Sequence, residues 1–213
     1  MQKTFNDLMV AMSDRSWTLG HDAVLMINRA KVNRLLDQQY VEHFNSNAFP
    51  KEINQEFDLN DDLTERLELD SLTLSSPQLS FDAADFSNSR ATATFLITAG
   101  HVMYWSLPID GTPPLLVNSI EIMPNHGYTV SMSVDLKESI GEVGDKGEVT
   151  IDIGEGFNCS CNLVVDSKLQ KRVGDAFKAY FLEYMDHGHL RYKIGAVALD
   201  SFHHLAPRSF SIR

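Results

Sequence analysis

The stretch from Asp166 to Gly188 constrains the fold of this chain more than any other, because it has the pattern of one long helix. Asp166 or Ser167 can cap its N-terminus by accepting a hydrogen bond from a backbone N–H. Gly188 suits the left-handed residue that follows a helix C-terminus. Apolar and aromatic residues recur at three- and four-residue spacing, which places on one face Leu169, Val173, Ala176, Phe177, Tyr180 and Tyr184.

The apolar face of this predicted helix widens over its last two turns, where Phe181, Leu182 and Met185 join it. A helix that is apolar over most of its circumference must be covered by other elements on most sides. At about 1.5 Å per residue it would span roughly 30 Å, which is the size of a small domain. Because nearly all of the remaining chain has strand patterns, we expect a strongly curved sheet to wrap around this helix.

The remaining chain predicts an α+β fold with an antiparallel sheet, because apolar and polar residues alternate through segments joined by short turns. The clearest of these segments are 91–99, 102–107, 117–123, 130–136, 149–153, 157–165 and 192–199. A second, shorter helix near the N-terminus is predicted from Arg29 to Phe44, with Asn28 as its cap. A further short helix is predicted from Thr4 to Met12, and a last extended piece from Ala206 to Ile212.

Breaks in the alternation predict where the sheet bends. Phase shifts near Ser71 and Pro77 indicate bulges, which let a sheet curl. Gly100 interrupts a long strand whose small residues would let another element approach closely, namely Ala91, Ala93 and Ala99. Gly154 and Gly156 precede a strand rather than a helix, so a hairpin turn explains them better than a nucleotide-binding loop.

Composition limits the classes of partner. The chain has 18 Lys plus Arg against 29 Asp plus Glu, a formal net charge of -11, which argues against nucleic acid and anionic membranes. No apolar run approaches the ~18 residues of a membrane span, and the N-terminus lacks the pattern of a secretory signal. We therefore expect a cytoplasmic protein without an integral membrane segment, with signal-independent export left open. Residues 1–213 fit a single domain.

The sequence offers little catalytic or metal-binding chemistry. Cys159 and Cys161 are two residues apart, a poor separation for a disulfide, so we expect two reduced core thiols. No nucleophile elbow, phosphate loop or zinc-binding helix motif is present. A histidine cluster could bind a metal only if the fold gathered it, and a helix end with a polar loop explains it better: His187, His189, His203 and His204. We expect no catalytic residues, no cofactor and no metal.

Several polar residues can be interpreted either as structural or as functional. Asp22 could act as an acid or base, but a structural carboxylate is favoured because it has no identifiable partner. Asn28 and Asn33 are expected to be a cap and a buried hydrogen-bonding residue before they are ligand contacts. Tyr180 and Tyr184 either pack and bond to the sheet or project hydroxyl groups into a cavity, and packing is favoured.

The segment from Trp17 to Asn33, WTLGHDAVLMINRAKVN, resembles the opening of a known bacterial family. In that family an aromatic residue precedes Asp-Thr-Val, an apolar strand and a Val-Asn pair that starts a helix. The positions of this chain that fit are Asp22, Val24, Ile27, Val32 and Asn33, whereas Ala23 replaces the threonine and His21 stands where an aromatic is common. The segment 205–210, LAPRSF, resembles the proline-containing strand after the family's long helix. The family is the forty-seven-kilodalton accessory proteins of clostridial neurotoxin gene clusters.

This resemblance implies the tubular lipid-binding (TULIP) architecture, in which a curved antiparallel sheet wraps a long helix. Family members are generally longer, so the chain is either a complete small member or the N-terminal portion of a larger protein. The family has no established catalytic residues, and the resemblance therefore assigns none.

Two functions follow as hypotheses, with an enzyme disfavoured. The first is a non-enzymatic module that binds a lipid or other apolar ligand in a cavity between helix and sheet. Its predicted lining residues are Phe95, Ile97, Met132, Phe177, Tyr180 and Tyr184. The second is a toxin-associated or assembly protein with a solid core, which acts by binding a protein partner. An exposed apolar patch would favour the second hypothesis.

Overall fold

The computed structural model describes residues 28–46, 51–81, 90–140, 146–185 and 187–198. They form an α+β fold in which a strongly curved antiparallel sheet, a half-barrel, is combined with few helices, as the sequence predicted. The strands are β1 Ile53–Asp58, β2 Glu65–Leu74, β3 Gln78–Ser80, β4 Arg90–Ser106, β5 Leu115–Ile122, β6 Thr129–Ile140, β7 Lys146–Asp152, β8 Phe157–Cys161 and β9 Arg191–Ala198. The helices are α1 Arg29–Phe44, α2 Ser167–Tyr184 and the short α3 His187–Leu190. The predicted elements from Thr4 to Met12 and from Ala206 to Ile212 lie outside the described residues.

The long strand β4 organises the sheet, whose main path is β1-β2-β4-β6-β7-β9. The first half of β4 pairs with β6 and β3, and its second half pairs with β2 and β5. Strand β8 pairs with the first half of β6, and all of these pairings are antiparallel. The residues between β7 and β8 form a 3₁₀ turn at Ile153–Glu155 and not the predicted hairpin, because β7 pairs with β6 and β9 instead of β8.

The predicted bend near Ser71 is confirmed, and its partner is Gly100. Ser71 has a φ of 53°, and the register between β2 and β4 shifts between Asp70 and Thr73. Gly100 has a φ of 122°, and a Cβ atom there would lie 2.6 Å from the Leu72 Cα. Strand β4 therefore continues through Gly100 with a kink, and Ala99 beside the kink is exposed rather than part of the apolar face.

Helix α2 begins where the sequence predicted but ends earlier. The Asp166 carboxylate accepts hydrogen bonds from the Lys168 and Leu169 backbone N–H groups at 2.9 and 3.0 Å. The helix ends at Tyr184, because Met185 has an extended backbone, so the prediction that Gly188 caps this helix is wrong. Gly188 lies instead in α3, which leads to the buried residues Leu190 and Tyr192.

One side of α2 packs into the sheet, and the other side is exposed. Phe177 is fully buried, with its ring centroid 5.7 Å from that of Phe57 on β1, and Phe181 lies 5.6 Å from Phe95 on β4. Leu182, in contrast, is 50% exposed. The prediction that the apolar face widens to cover most of the helix is therefore wrong at Leu182, which is half-exposed although its side chain reaches Gly154 in the turn between β7 and β8.

Helix α1 has the predicted bounds, and the Asn28 side chain caps it by accepting from the Ala30 and Lys31 N–H groups. The helix joins two strands that are far apart in sequence. The Asn33 amide donates to the Leu79 carbonyl and accepts from the Leu79 N–H. The Gln39 amide makes the same pair of bonds with Lys193, at 2.7 and 2.8 Å. Each amide thus forms the pair of backbone hydrogen bonds that a neighbouring strand would form, so α1 links β3 to β9.

Replacing Gln39 with alanine is expected to lower the free energy of unfolding by about 1–2 kcal/mol, since it removes two hydrogen bonds to the β9 backbone. The neighbouring Gln38 is exposed, and Gln38→Ala is expected to change stability by less than about 0.5 kcal/mol. Urea titration of the two variants measures the difference. Equal effects would contradict the proposed link through Gln39.

Candidate functional site

The six predicted lining residues do not share one environment. Phe95, Ile97, Met132, Phe177 and Tyr180 are buried, whereas Tyr184 is 49% exposed. The Tyr180 and Tyr184 rings lie 4.6 Å apart between centroids, so Tyr184 packs on the outer side of Tyr180. The packing interpretation therefore fits Tyr180, while Tyr184 contributes to the surface.

Two small cavities lie among the described residues, each of ≈ 20 Å³. Such a volume holds about one water molecule. The first is lined by Tyr40, Leu74, Ser75, Phe95, Ile153, Phe181, Met185 and Tyr192. The second is lined by Tyr40, Lys51, Ile53, Leu72, Leu74, Phe181 and Met185. Of the predicted lining residues only Phe95 borders them, and neither cavity is lined by Phe177 or Tyr180.

The polar groups beside these cavities serve packing. The Tyr40 hydroxyl donates to the Leu74 carbonyl, and burial raises the pKa of Tyr40 above its ordinary value. Burial also raises the pKa of Tyr192, which is 1% exposed. Both phenols therefore stay protonated near neutral pH and can act only as neutral hydrogen-bonding groups.

The thiols are buried and unpaired with one another, as predicted. Cys159 and Cys161 are both free, and each is 1% exposed. Burial raises the pKa of Cys161 to about 12, so its thiolate, the reactive form, is scarce at neutral pH. Within the part of the chain that the structure describes, no three His, Cys, Asp or Glu side chains converge to hold a metal ion. His203 and His204 lie outside that part, as does Asp22.

Among the described residues, six of the ten exposed large apolar side chains lie at one end of the sheet. This apolar end comprises Leu63, Ile109, Leu115, Leu116, Val117 and Val165, with exposed fractions from 44% to 97%. They come from the β1–β2 turn, the β4–β5 loop with the start of β5, and the connection from β8 to α2. Scattered apolar residues are normal on a protein surface, but a concentration of them indicates a contact site.

Backbone and side-chain bonds bring these three segments together. The Leu107 N–H donates to the Thr64 carbonyl at 2.7 Å, which ties the β4–β5 loop to the β1–β2 turn. Arg172 on α2 donates to Asp61 in that turn at 2.7 Å. The Tyr104 hydroxyl donates to the Leu163 carbonyl at 2.6 Å, which holds the β8–α2 connection against β4. The apolar end is therefore built on elements fixed by the sheet.

Charges of both signs surround the apolar end, because Lys168 and Lys171 follow Val165 at the start of α2 and Arg172 is paired with Asp61. Asp61 and Asp62 lie in the β1–β2 turn, and Asp110 lies in the β4–β5 loop. Hydrogen bonds from Thr112 lower the pKa of Asp110, so its carboxylate is charged at neutral pH. The end thus combines exposed apolar side chains with charged groups of both signs.

No family model, curated protein or solved structure matches this chain. The resemblance to the forty-seven-kilodalton family stays a prediction, and most of the segments that carry it, residues 17–27 and 205–210, lie outside the described residues. No helix among the described residues is both long and apolar enough to cross a membrane.

Sequence reasoning missed the apolar end, although the sequence carried a signal for it. Most predicted strands alternate apolar and polar residues, but Leu115, Leu116 and Val117 follow one another directly after two prolines. A strand with three consecutive apolar residues is either buried on both faces or exposes some of them. In the structure all three side chains are exposed, at 64%, 44% and 64%.

Alkaline pH is expected to loosen the apolar end through Tyr104, the residue that holds the β8–α2 connection. Burial raises its pKa from 10.0 to about 12. The folded state therefore binds the phenolic proton more tightly than the unfolded state, so its contribution to stability is complete below pH 10 and is lost as the pH rises through about 12. Urea titrations from pH 8 to pH 12 should show a smaller alkaline loss in Tyr104→Phe than in wild type. An identical loss in both proteins would contradict this assignment.

Proposed function

We propose that this protein is a non-enzymatic interaction module that binds a protein partner through its apolar end. The observation that carries the proposal is the concentration of exposed apolar side chains at Leu63, Ile109, Leu115–Val117 and Val165. The core supports it as well, because the two cavities hold about one water molecule each and are each too small for an acyl chain.

The charges of the apolar end fit a protein partner. Anionic headgroups would be repelled by Asp62 and Asp110, whereas Asp61 is already paired with Arg172. A protein partner can place cationic side chains opposite these carboxylates and apolar ones opposite Leu115–Val117. Apolar contacts of this kind provide affinity, while complementary charge at the rim governs the association rate.

The proposal is tested by comparing two double variants of equal charge. One carries Ile109→Lys and Val117→Lys at the apolar end, and the other carries Val41→Lys and Leu182→Lys, which are 59% and 50% exposed elsewhere. Each immobilised protein is incubated with an extract of the source cells, and bound proteins are identified by mass spectrometry. A partner that binds wild type and the second variant but not the first supports the proposal. Equal binding to all three proteins contradicts it.

A carrier of lipid or another apolar ligand is the second proposal, together with the TULIP architecture that the resemblance implies. The toxin-associated or assembly role belongs with the first proposal, the binding of a protein partner. One observation favours it: the two cavities share the walls Tyr40, Leu74, Phe181 and Met185. Movement of these side chains would join the cavities beside Phe95. Organic extraction of the purified protein followed by mass spectrometry tests it, and a protein that yields no lipid contradicts it.

The free thiols support a further proposal, a cytoplasmic location.

A further inference from the structure

Strand β5 forms one edge of the sheet. Among the described strands it pairs only with β4, from Gly100 opposite Ile122 to Ser106 opposite Leu115. The opposite side of an edge strand presents backbone N–H and C=O groups that have no strand neighbour, which is a template for another strand. Proteins usually protect such edges with lysine, proline or a bulge.

Strand β5 has little of this protection. Its eight residues, LLVNSIEI, contain no lysine, arginine or proline. The register does shift between Tyr104 and Trp105, which leaves Val117 without a direct partner. Leu115, Leu116 and Val117 nevertheless remain exposed along the edge. An added strand would cover these side chains and satisfy the backbone groups beside them.

The side chains beside β5 on the outer, convex face of the sheet determine which residues an added strand should carry. Leu116 is paired with Trp105, whose indole N–H donates to the Glu68 carboxylate at 2.7 Å. Further along the same face, Glu121 on β5 is paired with His101, which is paired in turn with Asp70 on β2. The face beside the edge is therefore apolar at one end of β5 and acidic at the other.

We propose that an extended, basic segment of a protein partner adds to β5 as a further strand, with apolar residues beside Leu116–Val117 and a lysine or arginine beside Glu121. This inference rests on the proposed function and specifies its partner. A second copy of this chain is disfavoured as the occupant, because each copy has a formal charge of -11 and would bring a second acidic face to the edge. Opposite charges on neighbouring strands stabilise a sheet, whereas like charges destabilise it.

The backbone of β5 reports strand addition directly. The probe is a short, capped synthetic lysine–valine peptide, with valines in the half that would lie beside Leu116–Val117 and lysines in the half that would lie beside Glu121. Amide hydrogen exchange of the intact protein is measured by NMR with and without it. Alternate residues of β5, those whose N–H groups point away from β4, should exchange more slowly in its presence. The same peptide with a central proline should protect them less, because proline cannot complete the ladder. No selective protection of alternate β5 amides would overturn the inference.

Charge reversal tests the partner chemistry. Glu121→Lys is expected to weaken binding of the lysine–valine peptide by roughly threefold to tenfold. Glu183→Lys makes the same change in net charge on the exposed face of α2 and should leave the affinity near that of wild type. Equal weakening by both variants would show that only the net charge matters and would overturn the local assignment. A matched glutamate–valine peptide that binds as tightly would overturn the requirement for a basic segment.

The remaining outcomes separate this inference from the proposed function. If a partner binds wild type and is lost from the Ile109→Lys, Val117→Lys variant, but the β5 amides gain no protection, the protein-binding function stands and strand addition fails. If analytical ultracentrifugation shows wild type to self-associate and Val117→Lys to be monomeric, the edge belongs to a second copy and the basic partner is overturned. Protection of β5 amides together with loss in Glu121→Lys supports the inference.

Discussion

Replacing Phe177 with alanine is expected to lower the free energy of unfolding by about 3–5 kcal/mol. The Phe177 side chain is fully buried at the centre of the α2 contact with the sheet, against Phe57 at 5.7 Å and Phe181 at 6.4 Å between ring centroids. Phe177 is 0% exposed and contacts two aromatic rings, so alanine would leave a void. Denaturant titration measures this loss.

Leu182→Ala provides the control for this measurement, because it truncates an apolar residue of the same helix that is 50% exposed. We expect it to cost less than about 1 kcal/mol. The comparison also bears on the two proposed functions. A Phe177→Ala loss well below about 3 kcal/mol would indicate a loosely packed interior and favour the apolar-ligand proposal over a solid core.

Replacing Gly174 with alanine is expected to destabilise the protein by about 2 kcal/mol or more, although alanine is the better helix former. Gly174 lies where α2 crosses β8, and a Cβ atom added there would lie 2.3 Å from the Ser160 backbone nitrogen and 2.5 Å from the Cys159 carbonyl carbon. Helix propensity alone would favour alanine by about 1 kcal/mol. The clash is with backbone and cannot be relieved by a side-chain rotation, so it outweighs propensity.

Ala179→Gly measures the effect of helix propensity alone on the free energy of unfolding, because Ala179 is exposed on the same helix. We expect this variant to lose about 1 kcal/mol through propensity alone. Thermal and urea unfolding of both variants separate the cost of the backbone clash from the effect of helix propensity. A Gly174→Ala protein more stable than wild type would show that α2 does not contact β8 as closely as the structure places it.

The close approach at Gly174 was not predictable from the helical pattern. Periodicity identified the face that contains Val173 and Phe177, but a glycine in that face gave no indication of what it contacts. The contact depends on β8, whose position is set by its pairing with β6. The same is true of Gln39, whose backbone partner Lys193 lies 154 residues along the chain.

The sequence by itself determined the local structure of this protein. The caps at Asn28 and Asp166, the bounds of α1, the alternation of the strands and the bend near Ser71 all follow from rules that act within a few residues. Side-chain period and backbone hydrogen bonding at a cap depend only on near neighbours, so they can be predicted without knowing the fold.

Only the tertiary structure decided which apolar side chains are covered. Leu182 and Leu115–Val117 look as apolar as Phe177 in the sequence, yet they are exposed while Phe177 is buried. Burial depends on which elements meet across the sheet, and that pairing is set by contacts between residues far apart in the chain. The exposed edge at β5 therefore follows from strand order, although the run Leu115–Val117 marks its apolar side chains in the sequence.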